Sequence, residues 1–467
     1  MEQRRNIDNW LLSNLFCFFD SDTRKFQRGI LIMIVAVLIA MGTSCGIFFS
    51  NPELSSSENM ENEIGQIVNM MDSNGQFSGA VLIAVKGKII YKDAVGYANI
   101  EDSIPNTCNT KFRIASFTKP FTVMLILQLV EEGKLKLNGK LTDYLPEFPK
   151  EKGENITIHQ LLTHTAGITG ESRIPNLIDI EKEYYSRERL LNCIADRELV
   201  YEPGKGREYS NFGYALLGLV IEKVSGKSYD EVLQEKICQP AGMKNTLEDI
   251  TAQPIENRAI GYNYNYFTGL EEASFLDMSF CLGAGQLLST VEDLYLFDKA
   301  LYTDKLLNEE SKELFFNKYG WHYQNVPYGK GFKKIRSSSL DGSINGFGSH
   351  TQRIEKDTVF IVALRNTKEY KKQIVIKWPK YMMSRILAVL YGEEYDLPKK
   401  SGAYVIFKTL LDSGYENAEK LHKEIINNQT DKYYLSKREF SFFTNELNNK
   451  GLADEALEYK KSYENEN

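Results

Sequence analysis

Apolar positions between Phe77 and Gly96 fall into two β-rich runs, Ala80–Val85 and Ile89–Tyr91, on either side of Lys86-Gly87-Lys88, and this pattern predicts a β-hairpin. From Ile114 to Val130 the spacing becomes helical, with Phe121, Met124, Leu125 and Leu129 on one stripe. Residues 150–245 mix helical segments with Gly- and Thr-rich loops. Thr290–Leu301 predicts a helix with Thr290 as N-cap and Asp293 in its first turn. Ser343–Asn366 returns to strand, and Thr358–Leu364 reads as a buried one. Strands come early and late, with helices between. This order predicts an α+β domain whose antiparallel sheet is built from both ends of the chain, flanked by helices and interrupted by an inserted helical region. Beyond Ser401 the composition shifts to Glu, Lys, Asn and Tyr, and Ser436–Tyr463 predicts two short helices around Asn449-Lys450-Gly451.

The longest apolar run is different in kind. Gly29–Phe49 holds 21 residues without a charge, enough for about 30 Å of helix, the thickness of a bilayer core. Arg24, Lys25 and Arg28 precede it and Glu53, Glu58, Glu61 and Glu63 follow, so the rest of the chain is expected outside the cytoplasm. A second reading is that Thr43-Ser44-Cys45-Gly46 ends the run as a lipoprotein cleavage site, with Cys45 lipidated. The expected organisation is a cytoplasmic leader (1–28), a transmembrane anchor or signal segment (29–49), a Ser-rich linker (50–60), a main domain (61–398) and a helical C-terminal extension (399–467).

Composition narrows the function. The chain has 467 residues, 56 Lys and Arg against 63 Asp and Glu, and a net charge of −7, which argues against a nucleic-acid partner. Six scattered cysteines form no CxxC, and five histidines form no HExxH. Neither a disulfide scaffold nor a zinc hydrolase is indicated, and no metal or cofactor is expected.

The candidate chemistry lies in Phe112-Arg113-Ile114-Ala115-Ser116-Phe117-Thr118-Lys119-Pro120-Phe121. Ser116 and Lys119 are three apart and share a helix face. A helix N-terminus favours negative charge on the serine oxygen, and a neighbouring amine can take its proton. Alone, this spacing is far more often a serine N-cap beside a surface lysine. The second element is Tyr209-Ser210-Asn211. A phenol near a cation can move protons at neutral pH, and an amide can orient a lysine and hold a carbonyl.

In this order, and within this surrounding text, the chain resembles the serine β-lactamase and penicillin-binding-protein superfamily, in its class C β-lactamase-like branch. The resemblance runs from about Glu63 to Asn366. It rests on FRIASFTKPFT (Phe112–Thr122), LLTHTAGI (Leu161–Ile168), EYSNFGYALLGLVIEKVSGKSY (Glu208–Tyr229), PAGMKNT (Pro240–Thr246), GAGQLLSTVEDL (Gly283–Leu294) and GSINGFGS (Gly342–Ser349). It implies a β-lactamase/transpeptidase-like fold and a serine hydrolase acting through an acyl-enzyme. Ser116 would be the nucleophile, Lys119 its activating amine and Tyr209 the proton shuttle. Asn211 would contact the substrate amide. The backbone N–H groups of Ser116 and Ser343, on the Gly342-Ser343 strand, would form the oxyanion hole, where one donor is worth roughly 3–4 kcal/mol.

The sequence departs from the family at the third motif. Where a Lys or His usually stands it has Leu340, followed by Asp341, Gly342 and Ser343. Leucine offers a substrate carboxylate neither charge nor hydrogen bond. This predicts a preference for small esters, amides or D-amino-acid peptides over β-lactams. Lys333, Lys334, Arg336 and His350 are candidate replacements for the missing group. His164 reads as a structural loop histidine. The expected partners are a small acyl substrate or cell-wall peptide and a membrane, and the C-terminal helices could engage a protein. The rival is a binding protein of the same fold, either non-catalytic or a penicillin sensor that deacylates slowly.

Overall fold

Lys86 and Gly87 both adopt left-handed backbone, with φ of 51° and 76°, as a two-residue type I′ turn requires. They join β1 (Gly79–Val85) to β2 (Lys88–Val95), the hairpin expected from the pattern. The structure is a computed structural model. It describes residue 54 and residues 59–170, 182–250, 254–320, 322–369 and 378–464. The leader, Cys45 and the apolar run Gly29–Phe49 lie outside the described residues. Among the described residues, no helix is long and apolar enough to cross a membrane.

Besides several strands of two or three residues, the strands are β3 (Tyr262–Asn265), β4 (Gly269–Glu272), β5 (His322–Tyr328), β6 (Lys333–Ile344), β7 (Phe347–Ile354), β8 (Val359–Arg365) and β9 (Thr367–Glu369). The longer helices are α1 (Met60–Ser73), α2 (Thr118–Glu131), α3 (Arg187–Ala195), α4 (Asn211–Ser225), α5 (Val291–Ala300) and α6 (Trp378–Leu390). Four more follow in the C-terminal extension: α7 (Gly402–Ser413), α8 (Tyr415–Asn428), α9 (Lys437–Asn449) and α10 (Ala453–Glu464).

The main sheet has six antiparallel strands in the order β5-β6-β7-β8-β1-β2. The early hairpin therefore pairs with the late strands, and β1 runs from Gly79 opposite Arg365 to Val85 opposite Val359. β1 and β8 are buried on both faces almost throughout, which is why they read as unbroken apolar runs. Ala80, Leu82 and Ala84 of β1, with Phe360, Val362 and Leu364 of β8, face the helical region. Val81, Ile83, Val359, Ile361 and Ala363 face a second core, closed by α1 and α6. In α1 the stripe is Ile64, Ile67, Val68 and Met71, the period that covers a sheet with one helix face. The fold is thus α+β, with the helical region inserted between β2 and β5.

Two expectations are refined by packing. The helix α2 is buried all round from Thr118 to Leu129, rather than along a single stripe, so it is the central rod of the helical region. The C-terminal extension holds two helical pairs where the pattern suggested one. Ala403, Ile406, Phe407, Phe440, Phe443 and Tyr459 share a core of their own, entered by Tyr266 from the main domain. Phe407 and Phe443 stack with ring centres 4.6 Å apart. The first pair escaped notice because α8 buries only Ala418, His422 and Ile425, a stripe too thin to stand out in a polar segment.

Candidate active site

The segment before Ser116 is tied down on both sides. Phe112 and Arg113 pair with Ser289 and Leu288, and the Ile114 N–H donates to Leu287 O at 3.0 Å. The Arg113 side chain, almost fully buried, meets the buried Asp249 carboxylate at 2.6 Å, and Arg258 reaches the same oxygen at 3.2 Å. A buried pair of this kind is costly to break from one side, so it fixes the approach to the turn. Ala115 then takes φ +49°, left-handed backbone for a residue with a Cβ, a strain of about 1–2 kcal/mol that the surrounding structure must hold. The chain makes a short 3₁₀ turn over Ala115–Phe117 and enters α2. Ser116 therefore sits, half-buried, at the mouth of that helix.

Three side chains converge on it. The Ser116 hydroxyl is 2.8 Å from the Tyr209 phenol oxygen. Lys119 Nζ donates to Ser116 Oγ at 3.2 Å, to Asn211 Oδ1 at 2.6 Å and to Ala284 O at 2.8 Å. Three acceptors around one amine are what the three N–H donors of an ammonium can satisfy, and the Ser116 hydroxyl can also give its proton toward the amine. The Lys119 amine lies 4.8 Å from the Tyr209 ring centre and 5.4 Å from that of Tyr214, within cation–π range. Lys119 is buried while Tyr209 is exposed. The cation is thus shielded and the phenol can meet a substrate. Asn211 is the first residue of α4, which Ser210 caps by accepting from Gly213 N–H.

Of the residues picked from sequence, Ser116, Lys119, Tyr209 and Asn211 form one hydrogen-bonded cluster. Gly342 is brought against the same segment. A Cβ on Gly342 would stand 2.1 Å from Ile114 O and 2.4 Å from Ser349 Oγ, so only glycine fits. Ser349 itself donates to Ile114 O at 2.8 Å. Among the described residues, the pairing of β5 with β6 reaches His322 opposite Ser339. Further along β6, the segment that holds Gly342 and Ser343 runs beside the Ser116 turn.

The cationic position of the third motif stays empty of charge. Leu340 packs, partly buried, against the main core, on the same strand face as Gly342 by the period of two. None of the candidate replacements stands beside it. His350 opposes Asp341 across the β6–β7 ladder and its imidazole contacts that carboxylate, which puts it on the other face of the strand. Lys333, Lys334 and Arg336 precede Leu340 by seven, six and four residues, roughly 23, 20 and 13 Å along a strand. Lys333 pairs with Glu393, and Arg336 lies over the Tyr323 ring. Among the described residues, no group of three His, Cys, Asp or Glu side chains is arranged to hold a metal.

Sequence reasoning gave no role to Ala284 or Thr122. The first supplies a backbone acceptor to Lys119. The second joins Gly283 O (2.6 Å) and the Tyr229 phenol (2.7 Å) beneath it. The GAG run was the available signal: Gly283 has φ +64°, and a Cβ there would meet Tyr214 O at 2.5 Å.

A serine at a helix mouth, with a buried lysine one turn on, inside this α+β architecture, defines a serine hydrolase. The family profile described as Beta-lactamase matches residues 65–378, and the chain belongs to that family. Penicillin-binding protein 4* of Bacillus subtilis (strain 168) is 29% identical over 377 residues, which is 73% of this chain and 79% of that protein. The crystal structure of D-amino acid amidase from Ochrobactrum anthropi SV3, complexed with L-phenylalanine amide, superposes with a TM-score of 0.62 at 25% identity, covering 72% of this chain and 99% of that one. FmtA from Staphylococcus aureus superposes with a TM-score of 0.59 at 25% identity, covering 73% and 94%.

Proposed function

We propose that the chain hydrolyses small esters or amides, including D-amino-acid amides and peptides, through an acyl-enzyme on Ser116. The observation that carries this reading is the hydrogen-bonded cluster of Ser116, Tyr209, Lys119 and Asn211. With Lys119 as a neighbouring cation, Tyr209 acts as its phenolate and takes the serine proton as Oγ attacks the acyl carbon. The proton passes to the leaving amine or alkoxide, and Tyr209 then activates the deacylating water. Lys119 stabilises the phenolate that is present before it takes the serine proton and again after that proton has passed to the leaving group. The N–H groups of Ser116 and Ser343 receive the oxyanion. A phenol in the second motif is also what supports placement in the class C-like branch.

Leu340 supports the preference within this class. A substrate with a free carboxylate beside the scissile bond finds no cation on the β6 face, while a neutral ester or amide loses nothing. The test compares an uncharged ester, a D-amino-acid amide and a penicillin as substrates of the wild type and of Leu340→Lys. The variant should raise kcat/KM for the penicillin by about tenfold or more, the worth of one charge-assisted hydrogen bond of ~1.5–3 kcal/mol, and leave the ester within a factor of a few. Equal effects on both would refute the assignment of Leu340.

Leu340 also motivates the second reading, a penicillin-binding sensor that acylates and scarcely deacylates. Persistence of a penicillin adduct over hours would favour it. For the cell, we propose a membrane-tethered, extracytoplasmic enzyme, held by Gly29–Phe49 with Arg24, Lys25 and Arg28 on the cytoplasmic side. The alternative anchor is a lipid on Cys45.

A further inference from the structure

His164 grips the segment that carries Tyr209 at three successive residues. Its carbonyl accepts from Glu208 N–H at 3.0 Å. Its Nδ1 accepts from Ser210 N–H at 3.2 Å. Its ring lies 4.6 Å from the Tyr209 ring, tilted by 36°. The same imidazole contacts Tyr214 at 5.1 Å, and Tyr214 is fixed through its phenol to Leu162 O at 3.1 Å. His164 itself has φ +60°, a conformation uncommon for a residue with a Cβ. Its carbonyl also accepts from the Tyr201 phenol at 3.2 Å. A histidine held this way is more than loop filling. It brackets the one exposed member of the catalytic cluster, whose 2.8 Å contact with Ser116 depends on where residues 208–210 lie.

The acceptor role fixes the chemistry of the ring. Nδ1 can receive the Ser210 N–H only while it carries no proton, so the neutral Nε2–H tautomer is required. In the imidazolium both nitrogens are donors, and Nδ1–H would face Ser210 N–H head on. The groups facing His164 are the phenols of Tyr209, Tyr214 and Tyr201, the Lys119 cation beyond the first two rings, and Glu208. The Glu208 carboxylate accepts from Gly170 N–H at 3.1 Å. Arg207 and Tyr319 act on Tyr214 from further out.

We propose that His164 is the positioning residue of Tyr209: its neutral imidazole clamps the Glu208–Ser210 backbone so that the phenol meets Ser116, and protonation of the ring releases that clamp. This rests on the acyl-enzyme reading above. Activity should therefore fall as pH drops through the His164 titration, with the loss in kcat rather than KM, since the proposed role acts through Tyr209.

The experiment uses the full chain and a chromogenic ester, p-nitrophenyl acetate, from pH 5 to 9. His164→Asn keeps a side-chain oxygen acceptor for Ser210 N–H and removes the titrating group. It should hold kcat within about threefold of wild type at pH 8 and lose the acid limb. His164→Ala removes the acceptor and should lower kcat about tenfold at pH 8, with KM little changed, and converge on the wild type at the acid end, where the wild-type clamp is already released. An Asn variant as impaired as the Ala variant, or an Ala variant with wild-type kcat and an intact acid limb, would overturn the proposal. A second readout needs no turnover: ¹⁵N-histidine spectra at pH 8, with the His164 signals identified by their loss in His164→Ala. Nδ1 without a proton is expected, and an Nδ1–H tautomer would overturn the clamp whether or not Ser116 acylates. Loss of the acyl-enzyme reading would show differently, as ester hydrolysis unchanged in Ser116→Ala.

Discussion

Adding one methyl group to Gly342 should disable the enzyme without unfolding it. The Cβ of Gly342→Ala would lie 2.1 Å from Ile114 O and 2.4 Å from Ser349 Oγ. The serine can rotate away, but Ile114 O is backbone, two residues before the nucleophile, and it also accepts from Phe117 N–H at 3.1 Å. An ordinary carbon–oxygen contact needs about 3.2 Å or more, so β6 and the Ser116 turn must part by about 1 Å. Displacement of that size between reacting groups costs on the order of 10²-fold in rate. The overpacking itself costs ~1–3 kcal/mol of stability, which leaves a domain of this size folded. The assay measures kcat/KM for an uncharged ester together with thermal unfolding. The expected result is a loss of about a hundredfold in kcat/KM with a small drop in Tm. Wild-type kcat/KM in a folded Gly342→Ala protein would refute the claim that the Gly342-Ser343 strand lies against the nucleophile.

Two further predictions follow from the same geometry. Lys119→Met removes the cation that joins Ser116, Asn211 and Ala284. It should lower kcat/KM by at least 10²-fold, and activity within tenfold of wild type would count against the proton route given above. Elsewhere, burial raises the Asp298 carboxyl to about 6 despite Arg353 at 2.6 Å, against an unfolded value of about 3.9. Between these values the folded protein holds a proton that the unfolded chain releases. This group's contribution to stability therefore declines as pH rises from about 4 to 6, by roughly 3 kcal/mol at 1.36 kcal/mol per unit. Urea unfolding at pH 4, 5, 6 and 7 should show that slope, and Asp298→Asn should flatten it; an unchanged slope in the variant would assign the titration to another group.

Much of this was written in the chain, and the parts that were not have physical reasons. The hairpin, the Thr290-capped helix α5 and the buried strand β8 were legible because period and turn chemistry are local. Ser116, Lys119, Tyr209 and Asn211 were legible through the family resemblance of the segments around them, since neither Ser-x-x-Lys nor Tyr-Ser-Asn is distinctive alone. Which strand face a residue takes was not. His350 looked like a substitute for the missing cation until the register set it opposite Asp341, a non-local pairing that no local pattern encodes. Backbone acceptors such as Ala284 O leave no side-chain signature. His164 read as a structural loop residue because its partners, Glu208 and Ser210, are more than forty positions away. The first C-terminal helical pair went unseen because its apolar stripe is sparse and its burial depends on Phe440, Phe443 and Tyr459 arriving from later in the chain.

The central claim is that Ser116 forms a covalent acyl-enzyme. It is tested most directly by the intact mass of the protein after incubation with a fluorophosphonate probe and, separately, with a penicillin. The wild type should take a single phosphonate adduct and Ser116→Ala none, with the penicillin adduct forming far more slowly, since Leu340 offers its carboxylate no partner. A folded wild-type protein that takes up neither label would contradict the account and leave a binding protein in its place.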